Sequence, residues 1–186
     1  MPILAICTIF AFNSSMAIAN ADKNAEIFIN DLGHRAIKSV TDGSIDSTFL
    51  PLLEEGFDVK HIASFVMSRY WSAFTDAQKT EFEGIFCQRL KKTYAIRFKD
   101  YKDVNFIVKG SRLDGKRTIV QTTIQKPGGP LTDVDWAVVK SGSGYKIQDV
   151  VVEGLSMGQT MRGEYSSSFQ TAGTPENFLT NLKSLS

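Results

Sequence analysis

The sequence predicts an α+β domain: an antiparallel, four-stranded curled sheet covered by N- and C-terminal helices, with an apolar cavity between sheet and helices. Three observations carry this reading. Apolar residues recur at helical spacing before Asp103 and again after Met157. Between them the period falls to two over four segments joined by short turns. At 186 residues the chain is long enough for one domain with a sizeable core and short for two.

The first helix spans Asn24 to Val40, where Ile27, Phe28, Leu32, Ala36, Ile37 and Val40 recur every three or four residues, and Thr41-Asp42-Gly43-Ser44 ends it. A short helix over Ile45–Glu55 follows, with a break near Pro51. Asp58 is placed to cap a third, whose Val59, Ile62, Phe65, Val66, Met67 and Tyr70 share one side. Thr75-Asp76-Ala77-Gln78 fits a capping box, in which each side chain receives the other residue's amide. The helix it opens carries Phe82, Phe86, Leu90, Tyr94 and Phe98, each four residues from the last. Steps of four overshoot a turn by about 40°, so this stripe winds round the helix and suits a wrapped surface.

After Asp103 the alternation begins. Val104–Leu113 and Lys116–Lys126 flank Asp114-Gly115, a strong hairpin signal. Val120, Thr122 and Ile124 share a face of the second strand, and Pro127-Gly128-Gly129-Pro130 makes the next turn. In the third strand Val134, Trp136 and Val138 oppose Asp133 and Asp135. A last strand runs from Tyr145 to Glu153, and its unbroken Val150-Val151-Val152 implies either cover on both faces or a bulge. Glu153-Gly154-Leu155-Ser156-Met157 then exits abruptly into two closing helices, the second with Thr174 as N-cap and Pro175 at its first position.

Lys and Arg number 21 against 20 Asp and Glu, and a net charge of +1 supplies no long-range field that would favour nucleic acid. Residues 1–21 carry no charge. Pro2–Phe12 has the length of a signal-peptide apolar region and is too short to cross a bilayer. Ala17-Ile18-Ala19 and Ala19-Asn20-Ala21 are cleavage-like sites, although no Lys or Arg precedes the apolar run. Residues 1–21 are therefore expected to be a signal peptide, and residues 22–186 a single exported domain beginning at Asn20 or Asp22. Of the two cysteines Cys7 falls in the leader, so Cys87 reads as a small packing residue without a disulfide partner.

Chemistry-bearing constellations are sparse. His34 and His61 are far apart and read as surface residues, and no metal-ligand spacing or exposed-serine elbow occurs. Asp135, Asp149, Glu153 and Glu164 are the candidate acid/base groups, and one buried carboxylate in a cone-shaped α+β fold would suit a small isomerase or dehydratase. The aromatic residues, 11% of the chain, are the positive signal. Their stripes fit a close-packed core or the wall of an apolar cavity, and periodicity alone does not separate the two.

Phe57-Asp58-Val59, Ile62-Ala63, Arg69-Tyr70-Trp71, Gln78, Phe82, Phe86, Leu90 and Tyr94 resemble the first half of the pattern of the MlaC, or toluene-tolerance, family. Asp135-Trp136, Ile147, Asp149-Val150, Glu153-Gly154, Ser156-Met157, Arg162 and Glu164-Tyr165 resemble its second half. The pattern departs at Ser68, where it carries Gly. The resemblance implies a periplasmic carrier, without cofactor or catalysis, that holds phospholipid acyl chains between sheet and helices. It also implies exchange with an inner-membrane ABC transporter bearing a lipid-channel ring and with an outer-membrane lipoprotein–porin complex, or, in hopanoid-associated relatives, a sterol-like cargo. The candidate lipid-binding wall is Phe65, Val66, Tyr70, Phe82, Phe86, Leu90, Tyr94 and Phe98 from the helices, with Val120, Ile124, Val134, Trp136 and Val138 from the sheet.

Overall fold

The computed structural model describes residues 22–98 and 101–184, without the side chains of residues 46, 97 and 98. The expected leader at 1–21 and the side chain of Phe98 lie outside that set. Helix α1 (Lys23–Thr41) starts where Asp22 accepts the amide of Ala25, and a π-helical turn, Ile45–Phe49, leads into α2 (Leu50–Gly56). The break falls just before Pro51, which sits in the first turn of α2, where its missing N–H costs no hydrogen bond. Asp58 caps α3 (Val59–Met67) as expected, with the amide of His61 3.2 Å from its carboxylate.

Helix α3 is shorter than its apolar stripe suggests. Ser68 takes φ 49°, a left-handed conformation, and turns the chain into a 3-10 segment, Ser68–Ala73, so that Tyr70 leaves the α3 face. The expected reciprocal cap opens α4 (Asp76–Phe98): Thr75 accepts the Gln78 amide at 3.2 Å, and Gln78 accepts the Thr75 amide at 2.9 Å.

Strands β1 (Asn105–Asp114), β2 (Arg117–Gln125), β3 (Leu131–Ser141) and β4 (Gly144–Val152) form an antiparallel meander in sequence order. A fifth strand, β5 (Leu155–Ser156), adds to the four expected. It exists because Glu153 and Gly154 both take positive φ, 48° and 80°, and fold the chain back so that Leu155 and Ser156 pair with Val152 and Val151. The register shifts between Val108 and Gly110 in β1 and between Ala137 and Val138 in β3, where Gln148 of β4 is the extra residue. The valine run itself alternates regularly, the bulge falling two residues before it: Val150 and Val152 share the inner face, while Val151 is half-buried on the other. Helices α5 (Met157–Ala172) and α6 (Pro175–Ser184) follow, capped by Ser156 and Thr174.

Two apolar cores result. One is helical: Phe82 and Phe86 of α4, Phe169 of α5 and Phe178 of α6 are buried with Val66 and Met67 of α3, and the Phe169 and Phe178 rings cross at 5.4 Å. The other lies between α1, α2 and the inner face of the sheet, with Ile29, Leu32, Phe49, Leu52, Val120, Val138 and Ile147. Gly33 brings α1 close to β1, since a Cβ there would lie 2.6 Å from the Phe106 ring. The cores are tied together across β4. The Asp58 amide donates to the Ile147 carbonyl at 2.9 Å, and Lys146 Nζ donates to the Glu54 and Glu55 carbonyls at 2.9 and 2.7 Å, closing the C-terminal end of α2.

Candidate functional site

A cavity of about 290 Å³ opens within the second core. Its sheet wall is Phe106, Ile124, Thr132, Val134, Trp136, Val150 and Val152; Ile29, Leu32, Gly33, Ala36 and Ile37 of α1 form the opposite wall. Phe49, Leu52, Leu53 and Phe57 close one side, with Tyr94, Tyr101, Val104 and Met157 completing it. An apolar cavity of roughly 150 Å³ takes up a benzene ring. On that scale the space matches about two rings, or a dozen or so carbons of an extended chain.

The alternation of the sheet puts these side chains on one face. Val120 pairs with Trp136 and Thr122 with Val134 across β2 and β3, and Trp136 with Val150 and Val134 with Val152 across β3 and β4. The indole N–H of Trp136 is the polar group that threatens such a wall. It donates to Thr122 Oγ1 at 2.9 Å, and that hydroxyl donates in turn to the Val134 carbonyl at 2.8 Å. The relay satisfies the indole within the sheet and leaves its ring to face the cavity.

Twelve of the thirteen candidate residues, all but Phe98, have described side chains, and they divide between the two cores. Tyr94, Ile124, Val134 and Trp136 line the cavity. Val120 and Val138 are fully buried in the packing around it, not in its lining. Phe65, Val66, Tyr70, Phe82 and Phe86 belong to the helical core, where Tyr70 lies against Phe169 with ring centroids 4.7 Å apart. Leu90 sits between the two, against a void of about 30 Å³ that shares Leu53, Phe57, Tyr94, Val150 and Met157 with the main cavity. Trp136, expected to face the stretch from Phe82 to Phe98, shares its cavity chiefly with α1 and α2, and of the described α4 side chains with Tyr94. The four-residue stripe explains the division: its drift carries Phe82 and Phe86 into the helical core and Tyr94, two steps on, into the cavity.

The α1 wall is missing from the lipid-binding wall expected from the sequence. Its signal was present in Leu32, Ala36 and Ile37 at helical spacing, but an apolar stripe does not say which sheet face it will cover.

The candidate acid/base groups lie outside the main cavity's lining, and Asp149 borders the small void beside it. Asp149 caps α5: Ser156 Oγ donates to it at 2.5 Å and the Gly158 amide at 2.9 Å, while the Val150 amide donates at 2.9 Å. A carboxylate at a helix N-terminus satisfies otherwise unpaired amides. Glu153 accepts the Asp133 amide at 2.5 Å, Glu164 is exposed, and Asp135 sits on the sheet's outer face opposite Gln121 and Val151. His34 and His61 are exposed. Burial pushes the Cys87 thiol above its ordinary range. Among the described residues no group of three or more His, Cys, Asp or Glu is placed to hold a metal ion, and no helix is long and apolar enough to cross a membrane.

A curled meander with helices laid over its inner face, enclosing an apolar cavity with its polar groups satisfied in the wall, defines a small α+β container for an apolar ligand. The chain belongs to the MlaC family, whose model, described as MlaC protein, matches residues 29–184. It is 24% identical over 118 residues to the toluene tolerance protein ttg2D of Pseudomonas putida, an alignment covering 62% of this chain; the chain spans 55% of that relative's length. Its fold matches that of a phospholipid-binding protein from Ralstonia solanacearum, solved in complex with a phospholipid. The TM-score is 0.75 at 20% identity, covering 87% of this chain and 96% of the other.

Proposed function

We propose that this protein is a periplasmic phospholipid carrier, not an enzyme, whose cavity holds acyl chain and leaves the headgroup in water. The observation that carries the reading is the cavity itself: a sheet wall and a helix wall of apolar side chains, with the Trp136 N–H already bonded to Thr122. The family, and the phospholipid bound by a protein of the same fold, support this choice of ligand. Each buried methylene is worth about 0.8 kcal/mol, so exposing one long acyl chain to water costs on the order of 10 kcal/mol, and a protein that ferries lipid must supply equivalent cover. Among the described residues the wall holds no carboxylate, histidine or amine, so it offers no trigger for release that titrates near neutral pH. Partners that deform the cavity supply it: an inner-membrane ABC transporter with a lipid-channel ring on one side and an outer-membrane lipoprotein–porin complex on the other.

Native mass spectrometry of protein purified from bacterial periplasm, followed by lipid extraction, tests the reading. Phospholipid is expected to travel with the protein at a defined stoichiometry. Protein that emerges bare, and takes up none from vesicles, would remove the carrier function.

A further inference from the structure

The second half of α4 is chemically one-sided. From Gly84 to Phe98 it holds Arg89, Lys91, Lys92 and Arg97 and no acid, in a chain whose net charge is only +1. On the outside of the helix, Gln88, Arg89, Lys91, Lys92, Ala95 and Ile96 line a shallow groove with Leu50, and Ile96 is 63% exposed. Charge around the groove comes from both signs: Glu54 pairs with Lys91 at 2.6 Å, and Arg89 lies beside the Tyr165 hydroxyl. Lys92 is exposed.

The groove adjoins the cavity wall along the chain. Phe49 and Tyr94 face the cavity, and their chain neighbours Leu50 and Ala95 face the groove. We infer that this outer face of α4, built on Arg89, Lys92 and Ile96, docks the protein on a bilayer rich in anionic phospholipid, an inference that rests on the carrier reading. A basic helix face with an exposed aliphatic side chain matches an anionic headgroup layer in charge and lets Ile96 enter the interface. It does so with the cavity one residue away.

Sedimentation with vesicles of phosphatidylcholine containing about one-third phosphatidylglycerol, against pure phosphatidylcholine, tests this with the whole exported protein. Binding is expected to the anionic vesicles alone and to fall steeply as salt is raised. Lys92→Gln should weaken it about fivefold and Lys92→Glu about twenty-five-fold, from roughly 1 kcal/mol per basic residue at the surface. Ile96→Ser should weaken it about tenfold through lost apolar burial. Lipid retained in the cavity, read by native mass spectrometry on the same samples, should be unchanged in all three. Wild-type protein that carries lipid yet ignores anionic vesicles overturns the docking face and leaves it to a protein partner. Vesicle binding indifferent to Lys92 and Ile96 overturns it as well. Absence of lipid from the wild-type protein would instead count against the carrier reading.

Discussion

Trp136 and Thr122 meet across β2 and β3, the indole N–H donating to the threonine hydroxyl at 2.9 Å. The pair makes Trp136 a reporter: it lines the cavity, and Trp71, the other tryptophan, packs in the helical core. In a Trp71→Phe background, stripping bound lipid should shift the fluorescence maximum of Trp136 and reloading should restore it. Emission that stays fixed while lipid content changes would place the ligand elsewhere. Thr122→Val removes the acceptor and is expected to cost about 1 to 3 kcal/mol in urea unfolding, since the indole N–H is then left unpaired.

Filling the cavity should separate lipid content from stability. Ala36 on α1 faces the open space, so Ala36→Phe is expected to lower co-purified lipid while leaving the melting temperature near that of the parent. Val120 is fully buried beside the cavity, so Val120→Trp should instead overpack the core and cost about 1 to 3 kcal/mol. Differential scanning fluorimetry with lipid extraction reads both, and an Ala36→Phe protein that keeps its full lipid load would contradict the placement.

Asp149 and Asp135 should behave oppositely. Asp149→Ala strips three hydrogen bonds from the start of α5 and its flanks, and is expected to destabilise by about 2 kcal/mol. Asp135→Asn, on the outer sheet face, should stay within about 0.5 kcal/mol and keep its lipid. A folded, lipid-loaded Asp135→Asn variant that fails genetic complementation would revive a chemical role.

Ser68 holds φ 49° at the α3 exit, a conformation glycine adopts at little cost. Ser68→Gly should raise stability by about 1 kcal/mol, measured by chemical unfolding; a loss of that size would show that the serine side chain contributes more than its strain costs.

The α1 start predicts an acid limb of stability. Burial alone would raise the Asp22 carboxyl, but the Ala25 amide and the Tyr145 hydroxyl outweigh it and hold it below its ordinary 3.8. At Glu26 the hydrogen bond from Lys23 leads, followed by opposing burial and the Ser111 hydroxyl, and the net shift is also downward, from 4.5. Depressed carboxyl groups stabilise the fold fully above their unfolded values and lose that contribution as pH falls through the folded ones. Stability should therefore decline below about pH 4.5, and Asp22→Asn should flatten that decline in melting curves taken across the acid range.

The order of elements, their caps and the hairpins were legible in the sequence because each is a local matter. The reciprocal pairing of Thr75 with Gln78 joins residues three apart, and Asp114-Gly115 turns on its own backbone. Sheet alternation likewise put Val134 and Trp136 on one face without reference to anything beyond β3. What the sequence could not rank was which of two equally apolar surfaces would close tightly and which would leave room. Phe82 and Tyr94 occupy the same stripe, yet one is sealed among the rings of α5 and α6 and the other looks into open space. That difference arises where α1 crosses the sheet at Gly33, where Ser68 ends α3 early, and where Gln148 bulges β4. Each sets the spacing between layers far apart in sequence, and cavity volume is a property of that spacing, not of any single side chain.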